Sequence, residues 1–367
     1  MVSSFLKSNT PIFYGKTIEL DIIIHPMKSG IKSSLKTVIK LAFAALILTW
    51  LIKNGKLDFG LVAETLQHPV LLISTISLIL CQIMISAWRW RTLVQLKTDS
   101  KLPLFPIIKL TWIGLFFSSV LPGAVTGDII KVVFARNLDK KLSKTYLIMS
   151  VFMDRIIGLI GLLFLLGAFS AYSYSELSVI SPHLRNLIHF NFLLFIGVFF
   201  FLVSLFLPVA LQQIILQLTA KIPFLGQRIG KTLEQVWIMG QSKKTIIQGL
   251  GASLVSQFIN ILAFWIISSP FYEQVIPLRY VFTFMPVGLM AVAVPISPAG
   301  LGIGHAIFDG LFKLFGTHNG ASLFNIYFLV IVSINLLGLI PYLTYKSHKS
   351  INLEQELSDT EATKNFY

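Results

Sequence analysis

Six nearly continuous apolar runs, residues 37–52, 69–87, 145–172, 187–210, 245–268 and 321–345, constrain this chain more than any other feature. At a rise of about 1.5 Å per residue, each has roughly the length of a helix that crosses a hydrocarbon core of ~30 Å. Lipid offers the backbone no hydrogen-bond partner, so such runs fold as helices, whose peptide groups are satisfied internally. Composition agrees, with 55% hydrophobic and 13% charged residues, against about 25% charged in a soluble domain. The expected fold is all-α, a polytopic transmembrane helical bundle with six full spans.

A formal net charge of +14 would suit a nucleic-acid partner if the basic residues formed one patch. They are instead sorted by connection. Lys28, Lys32, Lys36 and Lys40 precede or enter the first run, and Arg89, Arg91, Lys97 and Lys101 follow the second. Lys131, Arg136, Lys141 and Lys144 precede the third, Lys231, Lys243 and Lys244 precede the fifth, and Lys346 and Lys349 follow the sixth. The intervening connections are poor in basic residues. By the positive-inside rule the basic side is cytoplasmic, which places both termini in the cytoplasm and makes the charge a topology signal rather than a nucleic-acid footprint.

Two further apolar stretches, 107–121 and 281–294, are too short to span and run into Pro- and Gly-rich turns. The first turn reads Pro122-Gly123-Ala124-Val125-Thr126-Gly127-Asp128, and the second Pro295-Ile296-Ser297-Pro298-Ala299-Gly300-Leu301-Gly302-Ile303-Gly304. Each is flanked on both sides by one compartment, so each is expected to dip into the membrane and return, the first from the cytoplasm and the second from the opposite face. Opposed re-entrant hairpins imply an inverted-topology repeat. Interrupted segments paired across two halves point to a substrate site near the bilayer midplane.

Residues 1–36 read as a basic cytoplasmic segment in which Met27 is a candidate biological start, 37–346 as the transmembrane domain, and 347–367 as a disordered acidic tail. The stretch from Met27 resembles a signal sequence without a cleavage site, and is read as a retained anchor. The single cysteine, Cys81, lies within a run and is expected in the core.

Glycines in the first turn let backbone N–H groups approach a ligand, and the helix that follows aims its positive end at the turn. Pro122, Gly123, Thr126, Gly127 and Asp128 could therefore hold an anion such as a lipid phosphate, with Lys131 adding charge. The same residues also suit a tight reversal with Asp128 as helix cap. Asp154 and Arg155 enter an apolar run, where ionisable groups are costly and normally face the interior of the bundle. Adjacent helical residues point about 100° apart, so each is expected to find its own partner. Ser297, Pro298, Gly300 and Gly302 break the second hairpin and imply a lined cavity. His305 precedes Asp309 by four residues, a spacing that favours a hydrogen-bonded pair; no cluster completes a metal site. Trp88-Arg89-Trp90-Arg91 reads as an interfacial anchor, with headgroup binding as the alternative. Residues 211–244 read as an interfacial amphipathic segment. No nucleotide, metal or transferase motif is present, so neither a catalytic residue nor a cofactor is assigned.

Ala87-Trp88-Arg89-Trp90, Leu121-Pro122-Gly123 with Gly127-Asp128, Asp154-Arg155-Ile156-Ile157-Gly158, and Pro295-Ile296-Ser297-Pro298-Ala299-Gly300-Leu301-Gly302 occur in this order. On these motifs the chain resembles the lysylphosphatidylglycerol synthase transmembrane-region family of flippase-like proteins, over about residues 36–346. The resemblance implies a module that flips lipids, joined in bifunctional members to an aminoacyltransferase domain that this chain is expected to lack. Gly304-His305 stands where many members carry an Arg-Glu pair, a departure that bears on substrate and coupling. The expected function is to flip or scramble an anionic lipid, whether a phospholipid, an aminoacyl-phospholipid or a polyprenyl phosphate, across a bacterial cytoplasmic (inner) membrane. The alternative is a membrane-embedded glycosyltransferase or an accessory subunit of glycolipid synthesis. Expected partners are anionic membrane lipids and a separately encoded lipid-modifying synthase, and an oligomer is compatible with the sequence.

Overall fold

Helices follow directly from the apolar runs, and their ends follow from local capping. The structure is a computed structural model that describes residues 59–99, 101–120, 126–139, 141–220, 242–293 and 303–344, together with positions 226, 230, 233, 234, 237 and 240. The run 37–52, both Pro-Gly turns before Thr126 and Ile303, and the terminal segments lie outside the described residues.

In chain order the described helices are α1 (Phe59–Leu66), α2 (Pro69–Gln95), α3 (Leu104–Val120), α4 (Thr126–Ala135), α5 (Lys144–Tyr172), α6 (Tyr174–Ile180) and α7 (Pro182–Leu205). There follow α8 (Val209–Ala220), α9 (Lys243–Ser268), α10 (Leu278–Ala293), α11 (Ile303–Lys313), α12 (Gly320–Leu336) and α13 (Leu339–Leu343). Among the described residues there is no strand. Ser143 caps α5 by accepting from the Tyr146 N–H, and Ser181 caps α7 by accepting from Leu184, with Pro182 fitted to the first turn.

Among the described residues, five helices are long and apolar enough to cross a membrane: Pro69–Gln95, Lys144–Tyr172, Pro182–Ser204, Lys243–Phe271 and Gly320–Leu343. They correspond to five of the six runs; the remaining run lies outside the described residues. α3, at 17 residues, and α10, at 16, extend roughly 26 and 24 Å. Both fall short of the ~30 Å hydrocarbon core.

Each short helix pairs with its successor. A Cβ on Gly127 of α4 would collide with the Gly114 carbonyl and the Ser118 hydroxyl of α3, while Lys131, one turn further along α4, reaches Gly114. Advancing along α4 therefore retreats along α3, and the two run antiparallel with backbones in close contact. α10 and α11 are related in the same way, since Gly304 lies against Val292 and Gly288 against the Phe308 ring. α5 and α12 each touch both pairs.

Around α9, α10, α11 and α12 the core is aromatic. Phe308 stacks on Phe324 at 4.7 Å, and Phe264 meets Tyr327 edge-on at 5.2 Å. Tyr327 also donates its hydroxyl to Asn260 Oδ1 at 2.5 Å. A second core joins α2, α3, α4 and α5 through Trp90, Leu110, Ile113, Ile130 and Leu147. By contrast α7 leaves Leu193, Ile196, Phe199 and Phe200 exposed, a face suited to hydrocarbon. Cys81, expected in the core, is exposed on α2 beside Met84, because the packed face of that helix is set by Ile79, Ile83 and Ala87.

Candidate functional site

Ionisable side chains from three helices meet inside this bundle. On α2, Arg89 is buried, and its guanidinium makes a two-pronged bond to Asp154 on α5, Nε to Oδ1 at 2.7 Å and Nη2 to Oδ2 at 3.2 Å. Gly158, one turn beyond Asp154, makes room for that group, since a Cβ there would stand 3.3 Å from Nη2. The third nitrogen, Nη1, is buried without an acceptor.

Trp90, the next residue, is fully buried and donates its indole N–H to Ser150 Oγ at 3.1 Å. Over its ring, 3.7 Å from the centroid, lies the ammonium of Lys131 on α4, itself buried. Arg155 turns away from Asp154 and pairs with Asp128 on α4. The 100° offset of neighbouring helical positions thus sends Asp154 to α2 and Arg155 to α4.

Arg89, Lys131 and Arg155 against Asp128 and Asp154 leave a formal charge of +1 in the cluster. Beside it a cleft of about 200 Å³, lined by Asp128, Ile129, Val132, Ile148, Val151, Phe152 and Arg155, separates α4 from α5. Ile148 and Phe152 belong to the exposed apolar surface, so the cleft opens on the apolar outside of the bundle. An apolar groove that ends on a charged pair can accommodate an amphiphile with its head on the charges and its tail in the groove.

Of the residues singled out in the sequence, Asp128, Lys131, Asp154 and Arg155 come together here, with Thr126 and Gly127 at the start of α4. Pro122, Gly123, Ser297, Pro298, Gly300 and Gly302 lie outside the described residues. His305 is elsewhere, buried between Phe324 and Phe328, with Nε2 3.3 Å from Asn325 Oδ1. The expected His305–Asp309 pair gives way to two others, because Asp309 bonds Lys313 at 2.7 Å on the exposed side of α11 while the His305 ring turns inward. The reading of Trp88-Arg89-Trp90-Arg91 as a surface anchor is corrected as well. Arg89 and Trp90 are interior, and Arg91 Nε donates to the Leu102 carbonyl at 2.5 Å. The signal was the period rather than the motif: Gln82, Ser86 and Arg89 recur along one face of α2, and Ser86 meets Ser256 of α9 at 3.3 Å. Among the described residues no group of three or more His, Cys, Asp and Glu side chains could hold a metal.

Apolar helices of spanning length define a multi-pass membrane protein, with a partly buried charged cluster at the meeting of α2, α4 and α5. The family described as the lysylphosphatidylglycerol synthase TM region matches residues 37–338, and the chain belongs to it. Searches of curated proteins and of solved structures return no match.

Proposed function

We propose that this protein moves an anionic lipid across its membrane, the headgroup passing over the cluster of α2, α4 and α5 while the tails remain in the bilayer. The observation that carries this reading is the membrane-facing apolar cleft ending on the Asp128–Arg155 pair, beside a cluster with one formal positive charge in excess. In this reading α3–α4 and α10–α11 are re-entrant hairpins that enter from opposite faces, and residues 37–52 supply a sixth span. Their antiparallel pairing, their short length and the sorting of basic residues support that arrangement. The same charge sorting supports cytoplasmic termini, and membership of the family supports a bacterial cytoplasmic membrane and a separate lipid-modifying synthase as partner. Both carboxylates of the cluster are bonded to arginines, which favours transport over a sugar-transfer reaction needing a free acid or base.

The test is purified protein in liposomes with a fluorescent anionic phospholipid and an external quencher. Transport makes the signal of the inner leaflet disappear faster than in protein-free liposomes. Arg155→Ala, by removing a charge-assisted contact of about 1.5–3 kcal/mol, is expected to slow that phase roughly tenfold or more. Wild-type protein that leaves the inner leaflet fluorescent refutes transport, and an unchanged rate in the variant removes Arg155 from the path.

A further inference from the structure

The geometry points to a phosphate subsite deeper than the Asp128–Arg155 pair, formed by Arg89 Nη1 and Lys131 Nζ and suited to a singly charged phosphodiester. It rests on the reading that a headgroup enters this cluster, and it assigns ligand contact to a residue that stands outside the Pro-Gly turns.

Two cationic donor atoms in the cluster, Arg89 Nη1 and Lys131 Nζ, lie buried away from a bonded carboxylate. Arg89 commits Nε and Nη2 to Asp154, which leaves Nη1 buried and without an acceptor. Lys131 is also buried, and both nearby carboxylates are bonded to arginines rather than to it, so its ammonium rests on the face of Trp90 at 3.7 Å. A buried guanidinium N–H without an acceptor and an ammonium held only by a ring are each costly at low dielectric. The Lys131 ammonium feels the charges of both Arg89 and Asp154, the carboxylate bonded to Arg89, so the two donors belong to one locality. A tetrahedral anion with several acceptor oxygens can satisfy a guanidinium and an ammonium together.

Charge count then selects among phosphates. One formal positive charge is neutralised by a phosphodiester, whereas a dianionic monoester leaves an excess negative charge in a desolvated site. The adjoining apolar cleft accounts for acyl chains, so the occupant is a phosphodiester lipid rather than its free headgroup.

The test uses the full chain in non-ionic detergent, titrated with dioctanoyl phosphatidylglycerol, dioctanoyl phosphatidic acid and soluble glycerophosphoglycerol. Binding is followed by thermal midpoint and by tryptophan fluorescence, with Trp90→Phe identifying the part of the signal that comes from the ring under Lys131. The diester lipid is expected to bind at least tenfold more tightly than the other two probes and to change the Trp90 signal. Lys131→Met, which replaces a buried cation by an apolar chain, and the charge-neutral pair Arg89→Gln with Asp154→Asn are each expected to weaken binding tenfold or more. Wild-type affinity in either folded variant overturns the subsite, tighter binding of phosphatidic acid overturns the charge argument, and equal binding of the soluble diester overturns a lipid occupant. If lipid movement persists while both variants bind normally, the subsite fails and transport stands. Binding through Arg89 and Lys131 in a protein that moves no lipid leaves the subsite and removes transport.

Discussion

Asp154→Ala is the perturbation whose cost the structure specifies best. The Asp154 side chain is 14% exposed and that of Arg89 7%, so the pair has little water to fall back on. Removing the carboxylate strips Arg89 of both bonds, at 2.7 and 3.2 Å, and adds Nε and Nη2 to an Nη1 that already lacks an acceptor. Breaking one side of a buried pair costs about 3–5 kcal/mol, because the surviving charge remains desolvated. At about 1.4 kcal/mol per factor of ten, the unfolding equilibrium shifts by roughly two to three and a half orders of magnitude. Replacing both partners by apolar groups, Arg89→Met with Asp154→Leu, removes the stranded charge and is expected to cost about 1 kcal/mol or less. The assay is reversible unfolding in mixed micelles titrated with dodecyl sulfate, run on wild type, Arg89→Met, Asp154→Ala, Asp154→Leu and the Met–Leu double variant. With each single variant costing about 3–5 kcal/mol and the double about 1 or less, a coupling energy of about 5 kcal/mol or more in the Met–Leu cycle is the expected result. If the double variant costs the sum of its singles, the two groups are not interdependent, and the argument for a desolvated charge cluster collapses.

Gly127→Ala drives a methyl group into the Gly114 carbonyl, an obstacle that cannot rotate away, so overpacking of about 1–3 kcal/mol or more is expected in the same assay. Gly197→Ala on α7 has open space around it and should be neutral or stabilise by up to about 1 kcal/mol; a similar loss at both positions would contradict the antiparallel contact of α3 and α4. Tyr327→Phe removes the bond to Asn260 and keeps the aromatic packing, so a loss of about 1 kcal/mol is expected, and a loss above 3 would show that the hydroxyl does more. On the surface, the hydrogen bond that Lys141 donates to Asp99 holds its ammonium above its usual 10.5. A raised amine pKa stabilises the fold at pH below the unfolded value and loses that contribution as pH climbs through the folded one, so neutral pH leaves it constant. Asp99→Asn should lower the Lys141 titration midpoint seen by NMR; an unmoved midpoint would dissolve the pair.

Span positions were legible because hydropathy over about 20 residues is a one-dimensional property, fixed by the thickness of lipid rather than by any partner. Residues 69–87 and 145–172 accordingly match the apolar parts of α2 and α5. Rotation of each helix about its axis is a different matter. Cys81 was assigned inward on chemistry alone, yet the packed face of α2 follows Ile79, Ile83 and Ala87, which leaves Cys81 towards lipid. His305 and Asp309 share a spacing that permits contact, but a spacing states only that two side chains can meet. Asn325 on α12 and Lys313 on α11 offered better partners, one from a different helix and so invisible to a local pattern.

The charged site shows where local pattern stops being sufficient. Asp154 and Arg155 announced themselves by sitting in an apolar run, and Asp128 and Lys131 by following a Pro-Gly turn. Arg89 did neither, because a basic residue between two tryptophans at a helix end is also what a surface anchor looks like. What distinguishes it is that α4 packs against α3 and α5, which brings Asp128 and Lys131 of α4 beside Asp154 and Arg155 of α5, with Asp154 bonded to Arg89. The packing of α4 on α3 and α5 is therefore what turns separate boundary charges into one cluster, and it explains why Trp90 faces an ammonium.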